Sequence, residues 1–134
     1  METIEKLSAE YEIRNLISSY SHHADDDEAY EWARLFAPDG ALVIGDRRVV
    51  GHAALEQWLT DAQADVKMRH LHMNVAVVVE SSKNASATLD ILLMKSLEMP
   101  GGTQWLPFGT PRYNDRFTVF EGEWRFAERI LEMR

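Results

Sequence analysis

The hydrophobic pattern of this chain changes period once, near residue 68, and that change dictates most of what it can fold into. Before it, apolar side chains recur every three or four residues; after it they run in long β-branched and aromatic stretches. In the first part Ile4, Leu7, Tyr11, Ile13, Leu16, Ile17, Tyr20 and Ala24 form one helical stripe that ends at Asp25. Asp25-Asp26-Asp27-Glu28 interrupts it. A second helix follows, with Ala29, Trp32, Ala33 and Phe36 on one face and acidic residues at its start, where the helix dipole favours them. Ala37-Pro38-Asp39-Gly40 stops that helix. Ala41 to Ile44 and Arg48 to Val50 read as short strands about the turn Gly45-Asp46-Arg47. Gly51 then opens a third helix, His52 to Ala64, with Leu55, Trp58 and Leu59 facing inward.

Beyond the change, His70 to Glu80, Ala85 to Met99, Trp105 to Phe120 and Trp124 to Met133 read as strands. Ser81 to Asn84, Pro100 to Thr103 and Glu121 to Glu123 supply the hairpin connections. Three helices followed by a four-strand antiparallel meander predict a single α+β domain over residues 1–134. Its helices pack on one face of a curved sheet, a cone whose apolar interior is the natural place for a ligand.

Composition narrows the partners. The 134 residues carry 14 basic and 22 acidic side chains, a net charge of −8 that repels phosphate backbones, so no nucleic-acid partner is expected. The absence of cysteine removes disulfides, thiolate metal sites and cysteine nucleophiles. The charged opening METIEKLSAEYEI has no signal-peptide pattern, and the longest apolar run, Val75 to Val79, is far short of a membrane span. A cytoplasmic protein with no membrane partner is the expectation. There is no glycine-rich phosphate loop, no GxSxG elbow and no dinucleotide fingerprint.

Fragments spread along the whole chain carry a likeness. They are Glu12-Ile13-Arg14-Asn15-Leu16-Ile17-Ser18-Ser19-Tyr20, Ala24-Asp25, Trp32, Leu35-Phe36-Ala37-Pro38-Asp39-Gly40 and Gly51-His52, then Arg69-His70-Leu71 with Asn74, Tyr113-Asn114-Asp115 and Gly122-Glu123-Trp124-Arg125. In this order they resemble the SnoaL-like branch of the nuclear transport factor 2-like superfamily. The pattern is most similar to scytalone dehydratase, bile-acid dehydratase and hexachlorocyclohexane dehydrochlorinase. That resemblance implies a cofactor-free acid–base enzyme, a lyase or isomerase, acting on a small, largely apolar and often cyclic molecule. It also implies a catalytic pair, an Asp at the end of the first helix and a His on a strand, and the matching positions are Asp25 and His70. The same fold serves non-catalytic binding or assembly domains, and limonene-type epoxide hydrolases with an Asp–Arg–Asp arrangement, for which Asp90 and Asp115 are at hand.

The residues themselves allow this chemistry. Asp26 and Asp27 lie closer to the second helix and can cap it, which leaves Asp25 free to face the pocket, where a carboxylate is costly unless paired. Histidine moves protons readily at neutral pH, and an Asp that holds one ring nitrogen leaves the other basic. His72 shares a strand face with His70 and Asn74, the two histidines about 6.6 Å apart. With His22 and His23 near, that spacing admits a shared metal, but the chain has no HExxH and no spaced carboxylate–histidine set. No metal is therefore expected, and His72 is a substrate-binding candidate. Tyr20, Tyr113, Asp115, Trp105 and Met94 complete the candidate binding wall, with Tyr113 suited to polarise a carbonyl oxygen. Arg112, Arg116, Arg125 and Arg129 are expected on the outer face or paired with acids, with no assigned role. In the late strands Leu89, Ile91, Leu93 and Leu97 alternate with Leu92 and Met94. An aliphatic sheet face would thus be left open, and a homodimer, or a trimer as in some dehydratase relatives, would bury it.

Overall fold

The computed structural model describes residues 1–134 and follows the change of period, with corrections at several junctions. The first helix, α1 (Thr3–Asp25), buries Ala9, Ile13, Leu16, Ile17, Tyr20 and Ala24. The start of its stripe packs against nothing: Ile4, Leu7 and Tyr11 are 80%, 60% and 69% exposed. The second helix, α2 (Ala29–Ala33), is a single turn that ends before Phe36, and neither helix start is capped by a side chain. The reason is pairing. The Leu35 carbonyl accepts the Phe126 N–H at 2.9 Å, and Phe36 opens strand β1 (Phe36–Ile44) beside the end of the chain. The Ala37-Pro38-Asp39-Gly40 stretch is an irregular part of that strand and not only a helix stop. Gly40 is demanded there, since a Cβ would stand 2.8 Å from the Phe126 carbonyl oxygen.

Strand β2 (Arg47–Val50) and helix α3 (His52–Ala62) come next, with Leu55 and Leu59 buried. Strand β3 (Met68–Val79) leads to the long strand β4 (Asn84–Met99). The stretch expected as one strand from Trp105 to Phe120 is two, β5 (Gly102–Gly109) and β6 (Arg112–Phe120). Pro111, which has no N–H to give a ladder, breaks it, while its carbonyl accepts the Ile91 N–H at 2.9 Å. Strand β7 (Glu123–Glu132) closes the chain.

The sheet order is β2-β1-β7-β6-β4-β3, with β5 paired to the far half of β4. It is therefore not a simple meander, because β7 returns to pair with β1 in parallel. The fold class is α+β, with a curved, unclosed sheet and the helices drawn from the N-terminal half. Two bulges set which side chains face inward. In β3 the register slips between Met73 and Ala76, where Asn74 takes a φ of 55°. In β7, Phe126 and Glu128 oppose the adjacent residues Phe117 and Arg116, so Ala127 is the extra residue.

On β4, Ala85, Ala87, Leu89, Ile91 and Leu93 point inward and are buried, while Leu92 and Met94 lie on the other face. Leu97 lies beyond the core and is exposed, as are Leu71 and Met73. Inside, the rings of Tyr20, Trp32, Phe36 and Phe126 pack with neighbouring centroids 5.3–6.2 Å apart. The expected open apolar interior is thus mostly filled. About 100 Å³ of space remains among these aromatics, well under the roughly 300–1,000 Å³ of ordinary ligand pockets. No helix is long and apolar enough to cross a membrane.

Candidate active site

β3 is the last strand of the sheet, so N–H groups along its outer edge have no strand to pair with. Asp25, the final residue of α1, meets that edge. Both of its carboxylate oxygens accept the backbone N–H of His70 at 3.1 Å, and Oδ1 lies 2.6 Å from Nδ1 of the His70 ring. The two side chains are 20% and 12% exposed, shielded but not sealed. An acceptor at that distance places the ring proton on Nδ1, and Nε2 makes no hydrogen bond to the protein. The pair expected from the sequence is brought together with a basic nitrogen left open.

His70 walls two spaces. On one side lies a half-open cleft of about 630 Å³ in which only three of twelve lining residues are hydrophobic; Ser18, Ser21, His22, Asp26 and His72 are among the other nine. On the other lies the small interior space, where ten of twelve lining residues are hydrophobic, Trp32, Trp58, Tyr20 and Tyr113 included. The apolar pocket expected beside the pair is therefore a polar cleft backed by a narrow apolar recess.

His72 shares the inner face with His70, but Asn74 does not. The bulge turns Asn74 outward, where its amide donates to Asp90 at 3.0 Å. Burial lowers the His72 pKa, with Arg129 and then His22 adding to the effect, so its ring stays neutral further into acid. Its Nε2 is 3.5 Å from the Ser18 hydroxyl. Among the acidic residues and histidines, no group of three or more is arranged to hold a metal ion.

Tyr20 and Tyr113 both face the interior space, their hydroxyls 3.2 Å apart. Burial raises both phenols above their ordinary value, so each keeps its proton. One proton joins the two hydroxyls, and the other is left to donate. Asp115 does not reach this space as a free carboxylate. It is fully buried in a bidentate pair with Arg129, both contacts 2.8 Å, and the guanidinium carbon sits 3.8 Å from the Tyr113 ring centre and 4.2 Å from that of Tyr20. Burial raises the Asp115 pKa against the pull of Arg129. Burial alone would lower the Arg129 pKa, but Asp115 and the two tyrosines hold it above its usual value.

Arg129 has an acidic partner, one of its two expected settings, but it lies inside and not on the outer face where simple alternation would put it. The extra Ala127 flips the parity of β7 after Phe126, and Arg129 turns inward with it. The Asp–Arg–Asp arrangement is also not assembled. Asp90 pairs with Arg112 at 2.9 Å on the outer side of β4, and Asp115 with Arg129 in the core, so each carboxylate has its own arginine. Trp105 lines the open cleft, under the Arg69 guanidinium at 4.4 Å, and Met94, on the opposite face of β4 from Leu93, borders neither space around His70. The cleft also gathers Ser18, Ser21, His22, Lys67 and Arg69, none of which is among the candidate site residues read from the sequence. One buried side-chain polar atom has no partner, the indole nitrogen of Trp32.

The curved α+β sheet with its N-terminal helices defines a class of fold, and comparison with known proteins agrees with that fold. The family model described as the SnoaL-like domain matches residues 5–130, and this chain belongs to that family. Among solved structures it is similar to a protein from Novosphingobium aromaticivorans described as NTF2-like with a cystatin-like fold (22% identity, 95% of this chain and 82% of that one, TM-score 0.83). It is also similar to a protein from the same organism provisionally named a scytalone dehydratase (20% identity, 99% and 89% covered, TM-score 0.83). A third is a variant of Rv3472, a protein of unknown function from Mycobacterium tuberculosis (24% identity, 92% and 70% covered, TM-score 0.81). No curated protein sequence matches the chain.

Proposed function

We propose that this protein is a cofactor-independent lyase or isomerase in which Asp25 and His70 work as a general acid–base pair on a small carbonyl compound. The observation that carries this reading is the 2.6 Å contact of Asp25 with His70 Nδ1 beside an open Nε2. In the reaction, Nε2 takes a proton from carbon next to the carbonyl, and the C–H electron pair moves to the carbonyl oxygen as an enolate. The imidazolium then returns its proton to a β-hydroxyl, which leaves as water while the enolate collapses to the unsaturated ketone, or to another carbon, which shifts the double bond. Asp25 steadies the imidazolium between the two steps. The spare hydroxyl proton of the Tyr20–Tyr113 pair, with Arg129 stacked behind it, faces the recess where such an enolate oxygen would sit.

The test begins with a thermal-shift screen of cyclic ketones, polyketides, terpenoids and steroids. The binders are then incubated in deuterium oxide and followed by NMR for deuterium at the carbon beside the carbonyl. Asp25→Asn and His70→Ala should keep the fold and lower exchange by about 10²–10⁴-fold. Full exchange in His70→Ala would remove the base from the mechanism. A second reading, a binding or assembly domain without catalysis, draws support from the filled interior; binders that the parent protein never deuterates would favour it.

A further inference from the structure

The chain carries a net charge of −8, and seven of its 14 lysines and arginines are held by carboxylates in ion pairs. Lys67 and Arg69 form no such pair. They flank Met68 where β3 begins, alternating with His70 about the edge of the strand, and both line the cleft that His70 also lines. Arg69 is stacked on Trp105 at 4.4 Å, which orients the guanidinium while leaving its N–H edge free for an oxyanion. Two carboxylates border the same cleft. Asp25 is engaged by His70, which leaves Asp26 as the other acidic residue of a lining that also holds the imidazoles of His22 and His72.

The volumes divide a ligand in the same way. The recess behind His70 holds about 100 Å³, well below the roughly 300–1,000 Å³ of ordinary ligand pockets. Only a small apolar end fits there, and the rest of any larger ligand must lie in the cleft among hydroxyls, imidazoles and the two cations.

From this we infer that the substrate is bipartite, a small carbonyl-bearing end at His70 and an anionic group of carboxylate type held by Lys67 and Arg69. The inference rests on the reading of His70 as the base, and it changes the substrate class from largely apolar to anionic. In an acidic protein the two free cations supply the local attraction that the overall charge denies.

The probes are levulinate and its homologues two and four carbons longer, each compared with its methyl ester. Binding is measured by calorimetry and deuterium exchange beside the ketone by NMR. For the best length the acid should bind about tenfold more tightly than its ester, and added salt should narrow the gap. The double substitution Lys67→Gln with Arg69→Gln should weaken binding of the acid about tenfold and raise its KM with little change in kcat, leaving the ester untouched. His70→Ala should lower exchange of every probe by about 10²–10⁴-fold while still binding the acid, so failure of the anion site and failure of the base are read separately. Equal binding of acid and ester, no binding of any acid at millimolar concentration, or an unchanged affinity in the double variant would each overturn the inference.

Discussion

Of the three aspartates that hold a basic side chain at hydrogen-bond distance, two stand in opposite surroundings. Asp115 and Arg129 meet in the core with side chains 0% and 1% exposed, whereas Asp25 and His70 meet at an open edge with 20% and 12%. Nε and Nη2 of Arg129 are both spent on Asp115 and three rings pack against the guanidinium, so the pair is enclosed in the core. Arginine also does not release its proton in proteins. His70 keeps one ring nitrogen free of protein partners and lines a cleft. A paired carboxylate becomes chemical machinery only when its partner has an open valence, a labile proton and access to space.

Substitutions at the two pairs separate these roles. Asp25→Asn should cost most of the turnover and little stability, as set out above for deuterium exchange. Asp115→Asn should do the reverse, lowering the unfolding free energy by about 3–5 kcal/mol in urea titrations because it strands a buried guanidinium. Equal stability of the two variants would mean that Arg129 finds another partner and that the core pair is dispensable.

A smaller effect distinguishes the two histidines of the inner face. His72 resists protonation in the folded state because burial, Arg129 and His22 all lower its pKa. The unfolded chain takes up a proton there as pH drops below about 6.5, while the folded protein does not, so this residue removes stability on acidification. His72→Gln should therefore lose less stability than the parent protein between about pH 7 and pH 5. Parallel stability–pH curves would show that the ring is solvated in the fold.

The change of period at residue 68 reveals the class of fold, whereas Asp25 and His70 are legible as a pair only through the family resemblance, since periodicity places the two elements but not their meeting. What sequence periodicity hides is every place where a backbone irregularity resets it. Ala127 reverses the alternation of β7 and carries Arg129 inward, and the bulge at Asn74 separates it from His70 and His72. Pro111 divides a run that reads as one strand, and parallel pairing with β7 ends α2 early at a residue whose own pattern is helical. The exposure of Ile4, Leu7 and Tyr11 has the same origin: a stripe reports which face is apolar and not how far the partner surface extends. Lys67 and Arg69 have no periodic signal at all, since only the edge position of β3 brings them to the cleft.

The central claim is that Asp25 holds the proton of the His70 ring on Nδ1 and leaves Nε2 bare. Nitrogen-15 NMR of the histidine side chains reads this directly. The neutral His70 ring should show its proton on Nδ1, in a far-downfield resonance that the 2.6 Å contact predicts, and Asp25→Asn should abolish that resonance. A His70 ring protonated on Nε2 in its neutral form, or one unmoved by Asp25→Asn, would contradict the account.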